Sequence, residues 1–177
     1  MRFIPLSIAG AFLIEMEPIT DQRGYFARSF CRDEFKARGL AYEFVQCSIA
    51  CNRQRGTLRG MHYNRSAQGE AKLMRCTRGA LYDVLLDLRA GSPSYRRWIA
   101  HELTSATDRL IYAPPGVAHG YQTLEDDTEA AYWMSAPYRR EAQAGVRWDD
   151  PAFGIQWPIS RPILSARDRA YPDFDPA

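Results

Sequence analysis

The sequence predicts an all-β protein: a sandwich, a jelly roll or a barrel. Several short apolar runs have the length and composition of strands, namely FLIEM, LMRCT, ALYDVLLDL, WIAHEL, RLIYA and AAYWMS. Turn-forming stretches separate these runs, among them RAGSPS, APPGVAHG and TLEDDT. Many short strands with few helical segments are typical of these three architectures.

Two regions depart from the strand pattern. CRDEFKARG predicts one short helix that ends at Gly39. Tryptophans and prolines crowd the C-terminal stretch VRWDDPAFGIQWPISRPILS, which predicts a segment that wraps the barrel in short turns. No repeat, low-complexity tract or linker interrupts the chain. We therefore expect a single domain over residues 1–177, with N-terminal strands and a C-terminal wrapping segment.

Composition and charge exclude several classes of protein. The chain has 177 residues, 46% hydrophobic and 25% charged, which is typical of a soluble globular protein. Its formal net charge is only +2, whereas nucleic-acid binders usually carry a basic stripe. No apolar run approaches the ~18 residues of a membrane span, and Glu15 and Glu17 interrupt an N-terminus that does not resemble a signal peptide. We expect a cytoplasmic protein that binds neither nucleic acid nor membrane.

The cysteines predict neither a zinc site nor a disulfide framework. They are Cys31, Cys47, Cys51 and Cys76. No CxxC pair occurs, and the one CxxxC spacing has no partner cluster. We expect reduced and mostly buried thiols.

The stretch GTLRGMHYN contains one of only three histidines, and it resembles half of the metal-binding pattern of cupins. In that pattern a glycine is followed six residues later by His-x-His, then by a glutamate and by a third histidine in a Pro-x-Gly-x-x-His turn. Gly56 and His62 fit the first half, but Asn64 occupies the position of the second histidine. Glu70 lies close to the acidic position, and PPGVAHG supplies His119. A catalytic metal needs about three good protein ligands, so we expect no bound metal.

His62 can also act as an acid–base catalyst, because imidazole titrates near neutral pH. Lys72 lies in the strand-like run EAKLMRC, in a chain that uses arginine for almost every other basic residue. Tyr132 lies in AAYWMS, and the arginines Arg23 and Arg59 suit a phosphate. Together they provide a base, a cation for a developing oxyanion and a phenol that can donate a proton. This set predicts proton abstraction next to a carbonyl on a phosphorylated substrate.

The same kinds of residue have ordinary structural explanations. His62 alone could be a satisfied core histidine, and Lys72 could be a surface lysine whose stem packs on apolar neighbours. Asp168 could cap a turn near the end of the chain. His101 has no supporting partner, so we interpret it as structural. Asp83, in YDVLLDL, is a weaker site candidate.

Six stretches are similar, in the same order, to motifs of one enzyme family. They are DQRGYFARSF, FVQCS, GTLRGMHY, AKLMRCTRGALYDVLLDLRAGSPSY, YAPPGVAHGYQTLEDD and VRWDDPAFGIQWP…LSARD. One such motif is weak evidence, but six in register over nearly the whole chain are specific. The chain resembles the dTDP-4-dehydrorhamnose 3,5-epimerase family, whose fold is a cupin-type jelly roll. The resemblance implies a homodimer that exchanges N-terminal strands and needs no metal or other cofactor.

The resemblance implies catalytic roles for four residues. His62 matches the base, and Asp168, in SARD, matches the carboxylate that orients it. Lys72 matches a lysine near the C4 oxygen of the sugar, where it would stabilise an enolate. Tyr132 matches the acid that returns a proton from the opposite ring face. The implied activity is inversion at C3, C5 or both of a dTDP-4-keto-6-deoxyhexose.

The resemblance also implies a set of substrate-binding residues. Two arginines bind the diphosphate, and a tyrosine stacks on the thymine, a kind of contact that contributes ~1–3 kcal/mol. The set is Arg23, Arg59, Gln46, Ser48, His119, Tyr138, Phe26 and Arg28.

Several positions depart from the family pattern. Ser48 replaces a frequent asparagine, Arg28 a glutamate, Asn64 a glutamine and Gln143 a glutamate. These positions lie at the nucleotide or sugar-binding edge, so the sequence leaves the sugar and the nucleotide open. The alternatives are a mono-epimerase or a ketoisomerase on another nucleotide 4-keto sugar, a metal-dependent cupin oxygenase, or a non-catalytic binding module. Tyr132 favours epimerisation, because inversion needs an acid on the far face.

Overall fold

Strands dominate the computed structural model, which describes residues 1–175. In chain order the strands are β1 (Arg2–Pro5), β2 (Phe12–Glu15), β3 (Ile19–Asp21), β4 (Gly24–Phe26), β5 (Gln46–Asn52), β6 (Leu58–Asn64), β7 (Lys72–Arg78), β8 (Ala80–Asp87), β9 (Trp98–Thr104), β10 (Arg109–Ala113), β11 (Val117–Thr123), β12 (Thr128–Met134) and β13 (Gln143–Gly145). The helical elements are α1 (Arg32–Lys36), a 3-10 turn (Arg140–Ala142) and α2 (Ala166–Arg169). No helix within residues 1–175 has the length and hydropathy to span a membrane. The predicted all-β class with short peripheral helices is confirmed.

Two antiparallel sheets pack face to face in a jelly-roll arrangement. The six-stranded sheet has the order β1-β2-β10-β7-β12-β5, and the five-stranded sheet has the order β13-β6-β11-β8-β9. Side chains from both sheets form the core between them, including Leu13, Met74 and Ile111 from the first and Leu85 and Leu103 from the second. Residues two positions apart along a strand share a face, so polar residues in step with this core also face the barrel interior.

Apolar clusters cover the outer faces of both sheets. On the six-stranded sheet, Phe35 of α1 is fully buried and packs against Phe30. The chain leaves this helix through Gly39, whose φ of +68° favours glycine, close to the predicted stop. On the five-stranded sheet, the C-terminal segment contributes Phe153 and Trp157 to the outer cluster.

The central strands β6 and β11 approach each other closely. A Cβ on Gly60 would lie 2.5 Å from the Cα of Gly120, so this approach needs glycine. The register across these strands pairs His62 with His119. The prediction of a turn throughout APPGVAHG is wrong for its second half, because residues 117–120 belong to β11 and pair with β8 and β6 on either side.

Exposed apolar groups concentrate on a hairpin and on one sheet edge. The β3–β4 hairpin forms a separate two-stranded sheet that is exposed along its length, and Ile19 and Phe26 are each 73% exposed. The edge strand β5 exposes Ile49, Cys47 and Cys51. The prediction of mostly buried thiols is therefore wrong for these two cysteines, because they lie on an edge strand and face away from the core.

Candidate active site

The barrel encloses a cavity of about 630 Å³, called the barrel cavity below. Its walls come from β5, β6, β7, β11 and β12, and from α2 with the segment that precedes it. The cavity brings together the four residues that the sequence predicts for catalysis, His62, Lys72, Tyr132 and Asp168. His62 and Asp168 are 106 positions apart in the chain, so only the fold makes them neighbours.

His62 and Asp168 form a hydrogen-bonded pair. The His62 Nε2 atom lies 2.6 Å from the Asp168 Oδ1 atom. Ser165 caps α2 and accepts a hydrogen bond from the Asp168 backbone N–H at 3.0 Å, which fixes the carboxylate. Burial alone would raise the pKa of Asp168, but the hydrogen bond and charge of His62 outweigh it and hold that pKa below its usual range. Asp168 is therefore ionised at neutral pH and holds a proton on Nε2 of the imidazole.

The other ring nitrogen of His62, Nδ1, is the available base. Among the side chains that the structure describes, only Asp168 hydrogen-bonds to this ring, and it does so at Nε2. A carboxylate at one nitrogen fixes the tautomer and stabilises the imidazolium that forms when the other nitrogen takes a proton. Tyr171 packs beside the ring with a centroid distance of 6.3 Å. Gly145 leaves room for Tyr171, since a Cβ there would lie 2.4 Å from its Cζ.

Tyr132 faces His62 from the opposite wall of the cavity. His62 belongs to β6 of the five-stranded sheet, and Tyr132 belongs to β12 of the six-stranded sheet. Both side chains line the barrel cavity. The residues that pair with Tyr132 in register, Met74 and Ser48, line it as well. A ring-shaped ligand between the sheets would meet an imidazole on one face and a phenol on the other.

Lys72 connects the two sheets beside the same ring. It begins β7 in the six-stranded sheet, yet its Nζ atom lies 3.5 Å from the backbone carbonyl oxygen of His62 in β6. The Nζ atom also lies 3.1 Å from the Glu70 Oε1 atom. Lys72 is therefore not a surface lysine. Glu70, which the sequence places near an acidic metal-ligand position, pairs with an ammonium group instead.

A second histidine–aspartate pair lies next to the first. The His119 Nε2 atom lies 2.7 Å from the Asp83 Oδ2 atom, and both residues are buried. Within the described part of the chain, the other carboxylate oxygen of Asp83 has no hydrogen-bond partner. His101 lies opposite Asp83 in register on β9, where burial lowers its pKa and the charge of Asp83 partly offsets that effect. His119 lines the barrel cavity, whereas His101 does not, as its structural interpretation predicts.

A polar network holds Arg59 at the cavity wall. Its Nε donates to Asn52 Oδ1 at 2.8 Å, and Asn52 Nδ2 donates to the Tyr121 hydroxyl at 3.3 Å. Burial raises the pKa of Tyr121 to about 12, so this phenol is neutral at physiological pH. Arg59 and Lys72 place positive charge on the cavity wall, and Arg167 of α2 adds a further cation. Such a wall suits an anionic ligand.

The chain is similar to known proteins over nearly its whole length. The family model described as dTDP-4-dehydrorhamnose 3,5-epimerase matches residues 5–176. The chain belongs to the dTDP-4-dehydrorhamnose 3,5-epimerase family. The family resemblance predicted from the sequence motifs is confirmed.

Similar proteins extend this finding to whole chains. The dTDP-4-dehydrorhamnose 3,5-epimerase of Sinorhizobium fredii (strain NBRC 101917 / NGR234) is 41% identical over 175 residues, which cover 98% of this chain and 90% of that protein. The crystal structure of the enzyme of the same name from Bacillus anthracis str. Ames, with TDP and PPi bound, has a TM-score of 0.93 and 33% identity, and the match covers 98% of this chain and 99% of that one. ChmJ, a 3'-monoepimerase from Streptomyces bikiniensis in complex with dTDP-quinovose, has a TM-score of 0.89 and 34% identity, with 96% and 86% covered.

The cavity of this epimerase-family chain is lined near solvent by further residues that the sequence predicts for substrate binding. Gln46 and Ser48 lie on β5, and Tyr138 follows β12. Tyr138 is exposed, and its backbone N–H donates to Gln46 Oε1. Gln143, at one of the positions that depart from the family pattern, also lines the cavity.

Three predicted binding residues do not line the barrel cavity of their own chain. Arg23 and Phe26 belong to the β3–β4 hairpin, and Arg28 follows it. Arg23 is exposed and pairs with Asp21 at 2.5 Å, while Arg28 pairs with Glu34 at 3.6 Å. A single chain therefore does not assemble the whole predicted set, because the hairpin stands apart from the two sheets.

The histidine and glutamate side chains of the cavity that could bind a metal ion each have a protein partner. His62 and His119 each hydrogen-bond to an aspartate, and Glu70 pairs with Lys72. Across residues 1–175, no three His, Cys, Asp or Glu side chains are placed to hold a metal ion together.

Sequence reasoning missed two residues beside Asp168. Arg167 lines the cavity, and its Nε donates to the Tyr171 hydroxyl at 2.9 Å. The one available signal was their position in the short segment SARDRAY, one residue before and three residues after Asp168. A segment of that length does not reveal which of its side chains will turn towards a cavity.

Proposed function

We propose that this chain epimerises a dTDP-linked 4-keto-6-deoxyhexose without a metal or other cofactor, inverting C3, C5 or both. One observation carries the proposal: an imidazole paired with a carboxylate faces a phenol across the barrel cavity, with an ammonium group beside them. Family membership supports it, as do similar proteins that contain TDP or dTDP-quinovose. Nucleotide-linked sugars are intracellular metabolites, so the proposal also places the enzyme in the cytoplasm.

His62 removes the proton in the first step. A ketone at C4 makes the hydrogens on C3 and C5 acidic, because the resulting carbanion delocalises onto oxygen. The Nδ1 lone pair takes the proton, and the imidazolium stays paired with Asp168 at Nε2. A positioned base of this kind typically contributes about 10²- to 10⁴-fold to the rate.

Lys72 and Tyr132 complete the inversion. The Lys72 ammonium stabilises the enolate oxygen, and loss of one such donor typically costs about 3–4 kcal/mol of barrier. Tyr132 donates its phenolic proton to the carbon from the opposite wall, which inverts the centre. Water then protonates the phenolate and accepts the proton from His62, so the sugar keeps its composition.

The nucleotide end of the substrate lies where the cavity meets solvent. Arg59 binds the diphosphate, because a guanidinium group matches phosphate geometry. The exposed Tyr138 ring stacks on the thymine, a contact of about 1–3 kcal/mol. Gln46, Ser48 and His119 contact the remaining polar groups of the substrate.

A homodimer with exchanged N-terminal strands completes the site in this proposal. The exposed apolar side chains of the hairpin and of β5, including Ile19, Phe26 and Ile49, support an interface there. Exchange would carry Arg23, Phe26 and Arg28 to the partner's cavity. Sedimentation velocity should show a dimer for the wild type and a monomer for Ile49→Asp; a monomeric wild type would contradict the dimer.

A mono-epimerase is the second candidate, since the similar protein from Streptomyces bikiniensis is a 3'-monoepimerase. Proton NMR in D₂O with dTDP-4-keto-6-deoxyglucose separates the candidates. Deuterium at both C3 and C5 is expected for a 3,5-epimerase, and deuterium at one carbon for a mono-epimerase. An absence of deuterium at both carbons would contradict the proposed function.

A further inference from the structure

Glu70 is a buried carboxylate on the wall of the barrel cavity, and the mechanism above gives it no task. It lies at the end of the β6–β7 loop, where the backbone is fixed on both sides. A Cβ on Gly69 would lie 2.7 Å from the Cβ of Pro115, so the loop packs tightly against that proline. The next residue, Ala71, donates its backbone N–H to Ser135 Oγ at 2.8 Å. The carboxylate is therefore held at a defined point of the wall.

The carboxylate of Glu70 directs the ammonium group of Lys72. The Oε1 and Nζ atoms are 3.1 Å apart, and side-chain exposures of 4% and 13% leave water little access. An ammonium group has three N–H donors. One points to Glu70 and one to the His62 carbonyl oxygen at 3.5 Å, which leaves the third for a ligand oxygen in the cavity. Among the residues described, Glu70 makes no other ion pair.

Stability does not explain this pair. Taking two charges out of water costs free energy that their attraction often fails to return, so a buried ion pair is weak evidence for stability. A glutamine could accept the same hydrogen bond without adding a charge. The negative charge of Glu70 is thus the informative feature, because it compensates the ammonium charge at a point where both side chains are largely shielded from water.

We propose that Glu70 is the positioning residue for Lys72 during enolate formation. It fixes the direction of the ammonium group, so that one N–H meets the C4 oxygen as negative charge develops there. The inference rests on the proposed epimerase function. According to this inference, Glu70 affects the chemical step but not nucleotide binding. The residues proposed to bind the nucleotide, Arg59 and Tyr138, lie on other parts of the cavity wall.

A double-mutant cycle with Lys72 tests this role. Steady-state rates of deuterium exchange from D₂O into dTDP-4-keto-6-deoxyglucose give kcat and KM for each variant. We expect Glu70→Gln to lower kcat about 10- to 100-fold and to leave KM within about twofold of wild type. In the Lys72→Met background, Glu70→Gln should cause no further loss, because the group that it positions is gone.

The control measurements are thermal unfolding and calorimetric binding of dTDP, both of which we expect to be close to wild type for Glu70→Gln. If Glu70→Gln does not fold, Glu70→Asp gives the same comparison. The aspartate keeps the negative charge, but its shorter side chain no longer reaches the Lys72 Nζ atom. An unchanged kcat for Glu70→Gln would overturn the inference. An equal loss of kcat in the wild-type and Lys72→Met backgrounds would also overturn it, because such a loss indicates a purely structural role for Glu70. A wild-type chain that exchanges no deuterium would overturn the proposed function itself.

Discussion

The two histidine–aspartate pairs share their chemistry and differ in their surroundings. His62 and His119 are partners across β6 and β11, and their Nε2 atoms lie 2.6 and 2.7 Å from a carboxylate oxygen. The His62 side chain is 29% exposed and its aspartate 5%, whereas His119 is 10% exposed and its aspartate 0%. Asp168 comes from the short helix α2, and Asp83 comes from the adjacent strand β8.

In the proposed mechanism, this difference in exposure corresponds to different roles, proton transfer for the first pair and substrate binding for the second. A base must reach the substrate, and the His62 side chain is the more exposed of the two. We therefore expect His119 to act as a fixed polar contact for the substrate, since β11 is paired with a strand on each side.

Asp168→Asn should separate the two pairs most strongly. The amide keeps the size of the side chain but loses the charge that orients His62 and stabilises its protonated form. We expect kcat for deuterium exchange to fall about 100-fold with little change in KM. Asp87→Asn is the matched control, since it makes the same substitution at a buried aspartate that does not line the barrel cavity. A normal kcat for Asp168→Asn would end the comparison.

Asp83→Asn should have a smaller and different effect. It weakens the hydrogen bond that fixes His119 but leaves the His62–Asp168 pair intact. We expect KM to rise about 10-fold, the cost of one charge-assisted hydrogen bond, with kcat within about threefold of wild type. If kcat instead falls as far as in Asp168→Asn, the two pairs are functionally equivalent.

Asp87→Asn should have the smallest effect on activity, because Asp87 does not line the barrel cavity. Its carboxylate is buried and accepts hydrogen bonds from Arg89, Ser92 and Ser94. Burial alone would raise the pKa of Asp87. The hydrogen bonds together have the larger, opposite effect, and they hold this pKa well below its usual range. The ionised group therefore stabilises the fold above about pH 4, and this stabilisation is lost as pH falls towards the lowered pKa.

Chemical denaturation at several pH values checks the role of Asp87. We expect Asp87→Asn to lower the free energy of unfolding at pH 7 by roughly 3 kcal/mol. We also expect a flatter dependence of stability on pH below about pH 4 than in the wild type. Parallel pH curves for the two proteins would show that Asp87 does not carry this acid sensitivity.

The fold class and the meeting of the four predicted residues in one cavity were predictable from the sequence for identifiable reasons. Short apolar runs between turns define strands, and alternation along EAKLMRC places Lys72 in step with the inward-facing Met74. The pairing of His62 with Asp168 came from a motif resemblance, since residues 106 positions apart carry no local signal of contact.

The other contacts of the site depend on strand register, loop packing and the position of a strand in its sheet. The sequence of one strand does not show these. The His119–Asp83 contact follows from the register of β11 against β8, and the Glu70–Lys72 pair follows from a loop packed against Pro115. APPGVAHG looks like a turn because of its prolines and glycines, yet half of it is a central strand. Exposure of Cys47 depends on β5 being at a sheet edge, which its sequence does not show.

The most direct test of catalysis from two opposite walls is the exchange of solvent deuterium into dTDP-4-keto-6-deoxyglucose by His62→Ala and Tyr132→Phe. We predict that His62→Ala lowers exchange by about 10³-fold or more, because no base remains. We predict that Tyr132→Phe still exchanges deuterium but forms no inverted product, because the cavity wall opposite His62 then lacks a proton donor. Equal exchange by His62→Ala and the wild type, or normal inversion by Tyr132→Phe, would contradict this mechanism.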